Sequence, residues 1–256
     1  MPNLRLDERY AKGGMTREWW RQYFGDDFFF LHVDLFPEEL SRREVAGMIE
    51  LLGLPVGGRV LDVPCGWGRH SVLFHEQGYD VIGADLSFDL LRRAPRGPHY
   101  VAADVRAQPF PSGSFDAVLN VFTSLGLFLD DAEDLRALRE AQRLLKPGGR
   151  FLLESMHRDD VIAAYAERDR WRLPDGTEVR VRRRFDSVQG ISYERLRWRN
   201  GERSGEKRHA LRLRTATEIA ELLRAAGFDD VEYYGSWEGD PFTHHDSSLI
   251  AVATKR

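Results

Sequence analysis

The chain has 256 residues, 42% of them hydrophobic, and a formal net charge of −4, enough for one α/β core plus an insertion. The lone cysteine excludes an internal disulfide, and the mixed charge gives no global affinity for polyanions. No apolar run approaches the roughly 18 residues of a membrane span, and Met1-Pro2-Asn3-Leu4-Arg5 lacks an apolar signal core, so a cytoplasmic protein without membrane contact is expected.

Residues 1–37 are expected to precede the core. Residues 16–24 read as a short helix carrying Trp19, Trp20, Tyr23 and Phe24, and Phe28-Phe29-Phe30 extend the aromatic run. So many rings need a surface to cover, either the core or a ligand. Residues 37–53 predict a second helix, with Pro37 in its first turn and Val45, Met48, Ile49 and Leu52 on one face. Arg42 lies at the N-terminal edge of that face.

Residues 59–63 form a short apolar run that predicts a buried strand. The loop Pro64-Cys65-Gly66-Trp67-Gly68 comes next, then a helix pattern with Val72, Leu73 and Phe74. Glycine at 66 and 68 lets backbone approach a ligand, and a helix N-terminus aims free N–H groups at it. Cys65 reads as a small residue suited to a tight turn. This is a nucleotide-type site at the carboxyl end of a first parallel strand. A dinucleotide fingerprint is excluded, because its third glycine position holds Ser71 and the Asp62 carboxylate would repel a pyrophosphate.

Residues 81–85 predict a second strand ending in Asp85, placed to accept bonds from ribose hydroxyls. Ser87 can cap the next helix. A third strand, residues 100–103, ends at Asp104. Three strand-end acids suit a ligand with an ammonium, a diol and an exocyclic amine, and S-adenosylmethionine carries all three. Residues 115–120 predict a fully buried fourth strand. Residues 131–145 predict an amphipathic helix stopped by Pro147-Gly148-Gly149, and residues 150–153 a fifth strand.

Residues 168–214 break the pattern. Arginines alternate with apolar residues, as in Arg180, Arg182, Arg195 and Arg197, and turns are signalled at Pro174-Asp175-Gly176, Gln189-Gly190 and Asn200-Gly201. This predicts an inserted antiparallel sheet. The segment holds fifteen Lys/Arg and seven Asp/Glu, a charge of +8, which leaves −12 for the rest of a chain of net −4. Its arginines form a solvated face, a site for an anionic substrate or a subunit interface, so monomer and homodimer both stay open. The core resumes with a helix over residues 218–226 and strands at 231–234 and 248–254. His244-His245-Asp246 between them reads as a loop, with no metal expected.

The motifs Leu61-Asp62-Val63-Pro64-Cys65-Gly66-Trp67-Gly68, Gly83-Ala84-Asp85-Leu86-Ser87, Ala103-Asp104-Val105, Phe115-Asp116-Ala117-Val118-Leu119-Asn120 and Leu144-Leu145-Lys146-Pro147-Gly148-Gly149-Arg150 together resemble the class I S-adenosylmethionine-dependent methyltransferases over about residues 38–155. Pro64 departs from the pattern, standing where the first loop glycine usually is. The resemblance implies a Rossmann-like, seven-stranded, mostly parallel sheet with an antiparallel last strand, plus the inserted sheet. It implies a core of residues 38–167 and 215–256, with residues 168–214 as substrate roof or dimer interface and residues 1–37 as a lid. It implies cofactor contacts from Tyr23, Arg42, Asp62, Pro64, Cys65, Gly66, Gly68, Asp85, Leu86, Asp104, Val105, Asn120 and Phe122.

The chemistry implied is in-line methyl transfer to nitrogen or oxygen of a small molecule, with Tyr23, Asn120, Thr123 and His157 as groups near the methyl. His157 is the best base by residue type, the other reading being a packing or surface histidine. The insertion is similar to that of small-molecule N-methyltransferases. The alternatives are an RNA or protein methyltransferase and a non-catalytic S-adenosylmethionine-binding protein. Only the insertion is basic, which argues against nucleic acid.

Overall fold

The structure is a computed structural model, and it describes residues 18–256. Residues 16 and 17 of the expected aromatic helix lie outside the described residues. The aromatic run itself forms two helices, α1 (Trp20–Tyr23) and α2 (Asp26–His32), which bury Tyr23, Phe28 and Leu31. Helix α3 spans Glu38–Leu52, and Pro37 is its N-cap residue, one position earlier than expected. Gly53, at φ 54°, ends it in the left-handed conformation.

The core then alternates strand and helix. β1 (Arg59–Asp62) leads through the glycine loop to α4 (Arg69–Glu76), and β2 (Asp80–Asp85) leads to α5 (Phe88–Leu91). Ser87 caps α5, its Oγ accepting from the Leu90 amide at 3.2 Å. β3 (His99–Ala102) and β4 (Phe115–Asn120) precede α6 (Asp131–Leu144). β5 runs from Leu145 to Met156 and is longer than the sequence suggests at both ends. Its Pro147-Gly148-Gly149 does not separate helix from strand. It sits in an irregularity, where the partner of β4 jumps from Leu145 opposite Phe115 to Arg150 opposite Ala117.

Helix α7 (Arg158–Ala163) leads to the insertion: β6 (Arg168–Arg172), β7 (Glu178–Asp186), β8 (Ile191–Asn200) and β9 (Arg203–Arg212). These form a four-stranded antiparallel sheet in chain order. All three signalled turns are where expected. The tightest is Gly201-Glu202, which joins the pair Asn200 and Arg203, with Gly201 at φ 60°. Helix α8 (Ala216–Ala225) starts in a capping box between Thr215 and Glu218, and β10 (Asp230–Tyr234) and β11 (Ser248–Thr254) complete the core.

Among the described residues the main sheet has seven strands in the order β10-β11-β5-β4-β1-β2-β3. β11 is antiparallel to both neighbours and the remaining pairs are parallel. Successive β1 residues face opposite layers. Val60 packs with Val45, Met48 and Phe74, while Leu61 packs with Leu138, Ile219 and Leu223. The chain reverses direction across the sheet between β1 and β4, so the carboxyl ends of these strands open a crevice where α/β sheets hold ligands.

Candidate active site

A cavity of about 880 Å³ fills that crevice, near the upper end of the range for small-molecule sites. Its floor comes from the strand ends: Val63 to Trp67 after β1, Asp85 to Ser87 after β2, Ala103 to Val105 after β3 and Asn120 to Leu125 after β4. Its other walls are aromatic rings of α1 and α2 and one face of the inserted sheet, through Arg183, Ser192, Glu194 and His209.

Asp85 organises the floor. Its Oδ2 accepts from the Gly66 amide at 2.8 Å and its Oδ1 from the Ser87 amide at 2.7 Å. Each oxygen keeps a further lone pair for a donor in the cavity. Burial pushes the Asp85 carboxyl up, against those two amides. Gly66 is at φ 57° with open space where a Cβ would stand, so the backbone itself faces the cavity. Gly68 is closed on its far side, since a Cβ there would come within 2.5 Å of the Tyr100 hydroxyl. Burial, together with Asp62 and Asp85, pushes the Cys65 thiol well up, so it is held protonated and inert.

Asp62 is 1% exposed and lies behind the loop, outside the cavity wall. Ser71 Oγ donates to its Oδ2 at 2.6 Å, while its Oδ1 is buried with no partner. Burial pushes the Asp62 carboxyl up, against the Ser71 hydroxyl, and Asp62 does not line the cavity. Asp104 reaches the cavity, but Arg106 holds both its oxygens, at 2.6 and 2.9 Å. Leu86 and Val105 flank these acids in the wall.

The rim after β4 is strained. Phe122 and Thr123 are successive non-glycine residues in the left-handed region, at φ 63° and 52°. Half-buried Glu154 fixes the turn, accepting from the Phe122 amide at 2.7 Å. Asn120 is fixed at both ends, its Nδ2 donating to Val63 O at 3.0 Å and its Oδ1 accepting from Ser124.

Four expected residues lie outside the cavity wall: Asp62, Gly68, Arg42 and His157. Arg42 is outside the cavity wall, with its guanidinium on Glu38 at 2.6 Å and Glu76 at 3.0 Å. Arg69 enters the wall at the start of α4, pairs with Glu44 and donates to Ser41 Oγ at 3.0 Å. His157 is fully buried and outside the cavity, with Nε2 bonded to the Asp246 carbonyl and its ring edge-on to Phe242. It is a packing residue at the N-cap position of α7, with no side-chain bond to that helix, and it lies outside the cavity.

Tyr23 does line the cavity, with its ring 5.4 Å from Trp19, 5.6 Å from Phe28 and 5.1 Å from His209. Burial pushes its phenol far up, so it can donate a hydrogen bond but does not ionise near neutral pH. Arg182 and Arg197 are exposed, and Arg197 pairs with Glu206 at 2.6 Å. Of the insertion's arginines, only Arg183 reaches the cavity wall.

The model of the family described as "Methyltransferase domain" matches residues 60–149, the stretch that carries the floor. Residues 60–149 are a methyltransferase domain. The malonyl-[acyl-carrier protein] O-methyltransferase of Enterobacter lignolyticus is 33% identical over 141 residues, 54% of this chain and 53% of that protein. The chain thus spans about half the length of the curated relatives it matches first. Among solved structures, the CcbJ methyltransferase from Streptomyces caelestis superposes with TM-score 0.74 at 19% identity, covering 83% of this chain and 88% of that one. An amino pentose methyltransferase from Micromonospora echinaspora, CalS10, solved with S-adenosylmethionine bound, gives TM-score 0.64 at 23% identity over the whole of both chains. At these identities the structural likeness concerns the fold.

The floor fits the methyltransferase cofactor on its own geometry. Asp85 offers free lone pairs for a diol and Arg69 a cation for a carboxylate.

Proposed function

We propose that this protein transfers a methyl group from S-adenosylmethionine to nitrogen or oxygen of a small molecule. The observation that carries the reading is the single continuous cavity: one end has the strand-end acids and the glycine loop, the other the polar face of the inserted sheet. Such a cavity has room for donor and acceptor side by side.

In this reading Asp85 holds the ribose diol, Leu86 and Val105 flank the adenine, Arg69 meets the methionine carboxylate, and the backbone at Cys65 and Gly66 closes against the ligand. When bound, the cofactor supplies a methyl group already activated by a positive sulfur. The protein's task is alignment and exclusion of water. Alignment alone lowers such a barrier by about 7–11 kcal/mol in favourable cases. Trp19, Tyr23 and Phe28 serve that task by walling the cavity with rings. Asn120 and the strained Phe122-Thr123 turn hold the rim beside the reacting end.

A small-molecule acceptor is favoured over RNA or protein because the insertion's exposed arginines lie outside the cavity, while Asp85, Asp104 and Glu194 line it. The amino pentose and acyl-carrier methyltransferases among the similar proteins are compatible with either target atom. Incubation with methyl-labelled cofactor and a deproteinised metabolite extract, with mass spectrometry of the products, tests the reading. A labelled metabolite is expected. Label only in added RNA or protein, or bound cofactor with no transfer at all, would overturn it.

A further inference from the structure

The face of the inserted sheet that carries Ser192 and Lys207 also carries a row of three charged or titratable residues. Arg183 of β7, Glu194 of β8 and His209 of β9 are directly paired across the strands, so all three project on the same side. Glu194 Oε2 accepts from Arg183 Nε at 2.7 Å, and Glu194 Oε1 lies 3.5 Å from His209 Nδ1. All three line the cavity, as the glycine loop does. His209 Nδ1 is buried on the Glu194 side, whereas Nε2 is neither buried nor bonded among the described residues. The nearby carboxylate favours the tautomer with hydrogen on Nδ1, which leaves the Nε2 lone pair free to accept. The 3.5 Å separation is long for a hydrogen bond, as such contacts often are before substrate binds.

We propose that His209 is the catalytic base that takes the acceptor's proton, and that Glu194 is its positioning residue. The inference rests on the methyltransferase reading above. In the step, the acceptor's oxygen or nitrogen forms its bond to the methyl carbon, and the carbon–sulfur bond breaks with its electron pair going to sulfur. The acceptor's proton passes to Nε2 and later to water. An acceptor that needs this help carries a hydroxyl or amino hydrogen that must leave.

The groups facing His209 fit the role. Burial lowers its affinity for protons, Glu194 opposes this, and Arg183 adds to it, so the ring is neutral near pH 7 and free to accept. From α1, Trp19 and Tyr23 pack on the imidazole at 5.8 and 5.1 Å, and from α2 His32 faces the same side, with its own affinity lowered chiefly by burial. Tyr23, un-ionised, cannot replace His209 as base.

Imidazole nitrogen NMR of the protein loaded with S-adenosylhomocysteine tests this before any acceptor is known, His209→Gln assigning the signal. Expected is an Nδ1–H tautomer at pH 7.5 that protonates at lower pH in Glu194→Gln than in wild type. An Nε2–H tautomer, or no response to Glu194→Gln, would overturn the proposal. With the metabolite that the labelled-extract experiment identifies, His209→Gln should lower kcat about 10²–10⁴-fold at unchanged cofactor affinity. Glu194→Gln should shift the acid limb of the kcat profile downward in pH. Full kcat in His209→Gln would overturn the role. A wild type that transfers no label while showing the expected tautomer would defeat the methyltransferase reading, and the catalytic role of His209 with it.

Discussion

The Gly66 amide donates to Asp85 Oδ2 at 2.8 Å, so the loop after β1 is tied to the end of β2 before any ligand arrives. The contact sets where the floor's backbone and its acid face the same space, and it explains why Asp85 is both nearly buried and still able to accept. Other contacts around this floor give each wall of the cavity a separately testable role.

Arg69 and Arg42 should behave oppositely. Arg69 reaches the cavity and Arg42 is spent on Glu38 and Glu76. Arg69→Gln should weaken cofactor binding by about 1.5–3 kcal/mol, the worth of hydrogen bonds to charged groups, while Arg42→Ala leaves it level. Calorimetry on the two variants checks this, and equal losses would contradict the assignment.

Most of the fold was legible in the sequence because its signals are local. Turn residues fixed the hairpins of the insertion, and the apolar runs fixed β1, β2 and β4. The site was legible only in part. The acid Glu38, four residues before Arg42, already offered the partner that takes Arg42 out of the site. His157 is buried by Phe242 and the Asp246 carbonyl, contacts far along the chain that no spacing reveals. Glu194 and His209 were missed, though register could have found them. They stand six residues before Asn200 and six after Arg203, so the two-residue turn at Gly201-Glu202 pairs them. The length of β5 was misjudged because Pro147-Gly148-Gly149 looks like a stop, and only pairing with β4 shows otherwise.

Buried Arg214 should be structurally demanding. Its guanidinium reaches Asp134 Oδ2 at the α6 side and Asp131 Oδ1 at 2.9 Å, and Asp134 also accepts from the Gly126 amide. Removing one member leaves the other charge buried, so Asp134→Ala should cost about 3–5 kcal/mol. Urea unfolding measures it, and a loss near zero would mean the pair is not coupled.

Asp116 gives a stability term that depends on pH. Burial alone would raise its carboxyl, but Lys146 and the Arg59 amide hold it below the usual carboxylate range. A lowered folded value means stability present above the unfolded value of about 3.9 and lost as pH falls through the folded one. Asp116→Asn should therefore destabilise by about 1 kcal/mol at pH 7, a modest figure because Lys146 is partly solvated. The gap to wild type should close at acid pH. A gap that widens there would have the wrong sign.

Residues 18–32 should gain hydrogen-exchange protection when cofactor binds. Trp67 of the glycine loop packs on Phe28 and Phe29, with ring centroids 6.3 and 5.4 Å away, so loop and aromatic segment share a surface. Equal exchange rates with and without cofactor would make the segment plain core packing.

The central claim is that the floor binds S-adenosylmethionine through Asp85. Calorimetric titration of wild type and Asp85→Ala with S-adenosylhomocysteine and with NADH tests it most directly, with thermal melts to confirm that the variant is folded. Removing an acceptor that serves the ribose should cost about 1.5–3 kcal/mol, roughly a 10- to 100-fold weaker Kd. The account predicts that loss in Asp85→Ala and no measurable affinity for NADH. Tight NADH binding, or an unchanged Kd in the folded variant, would contradict it.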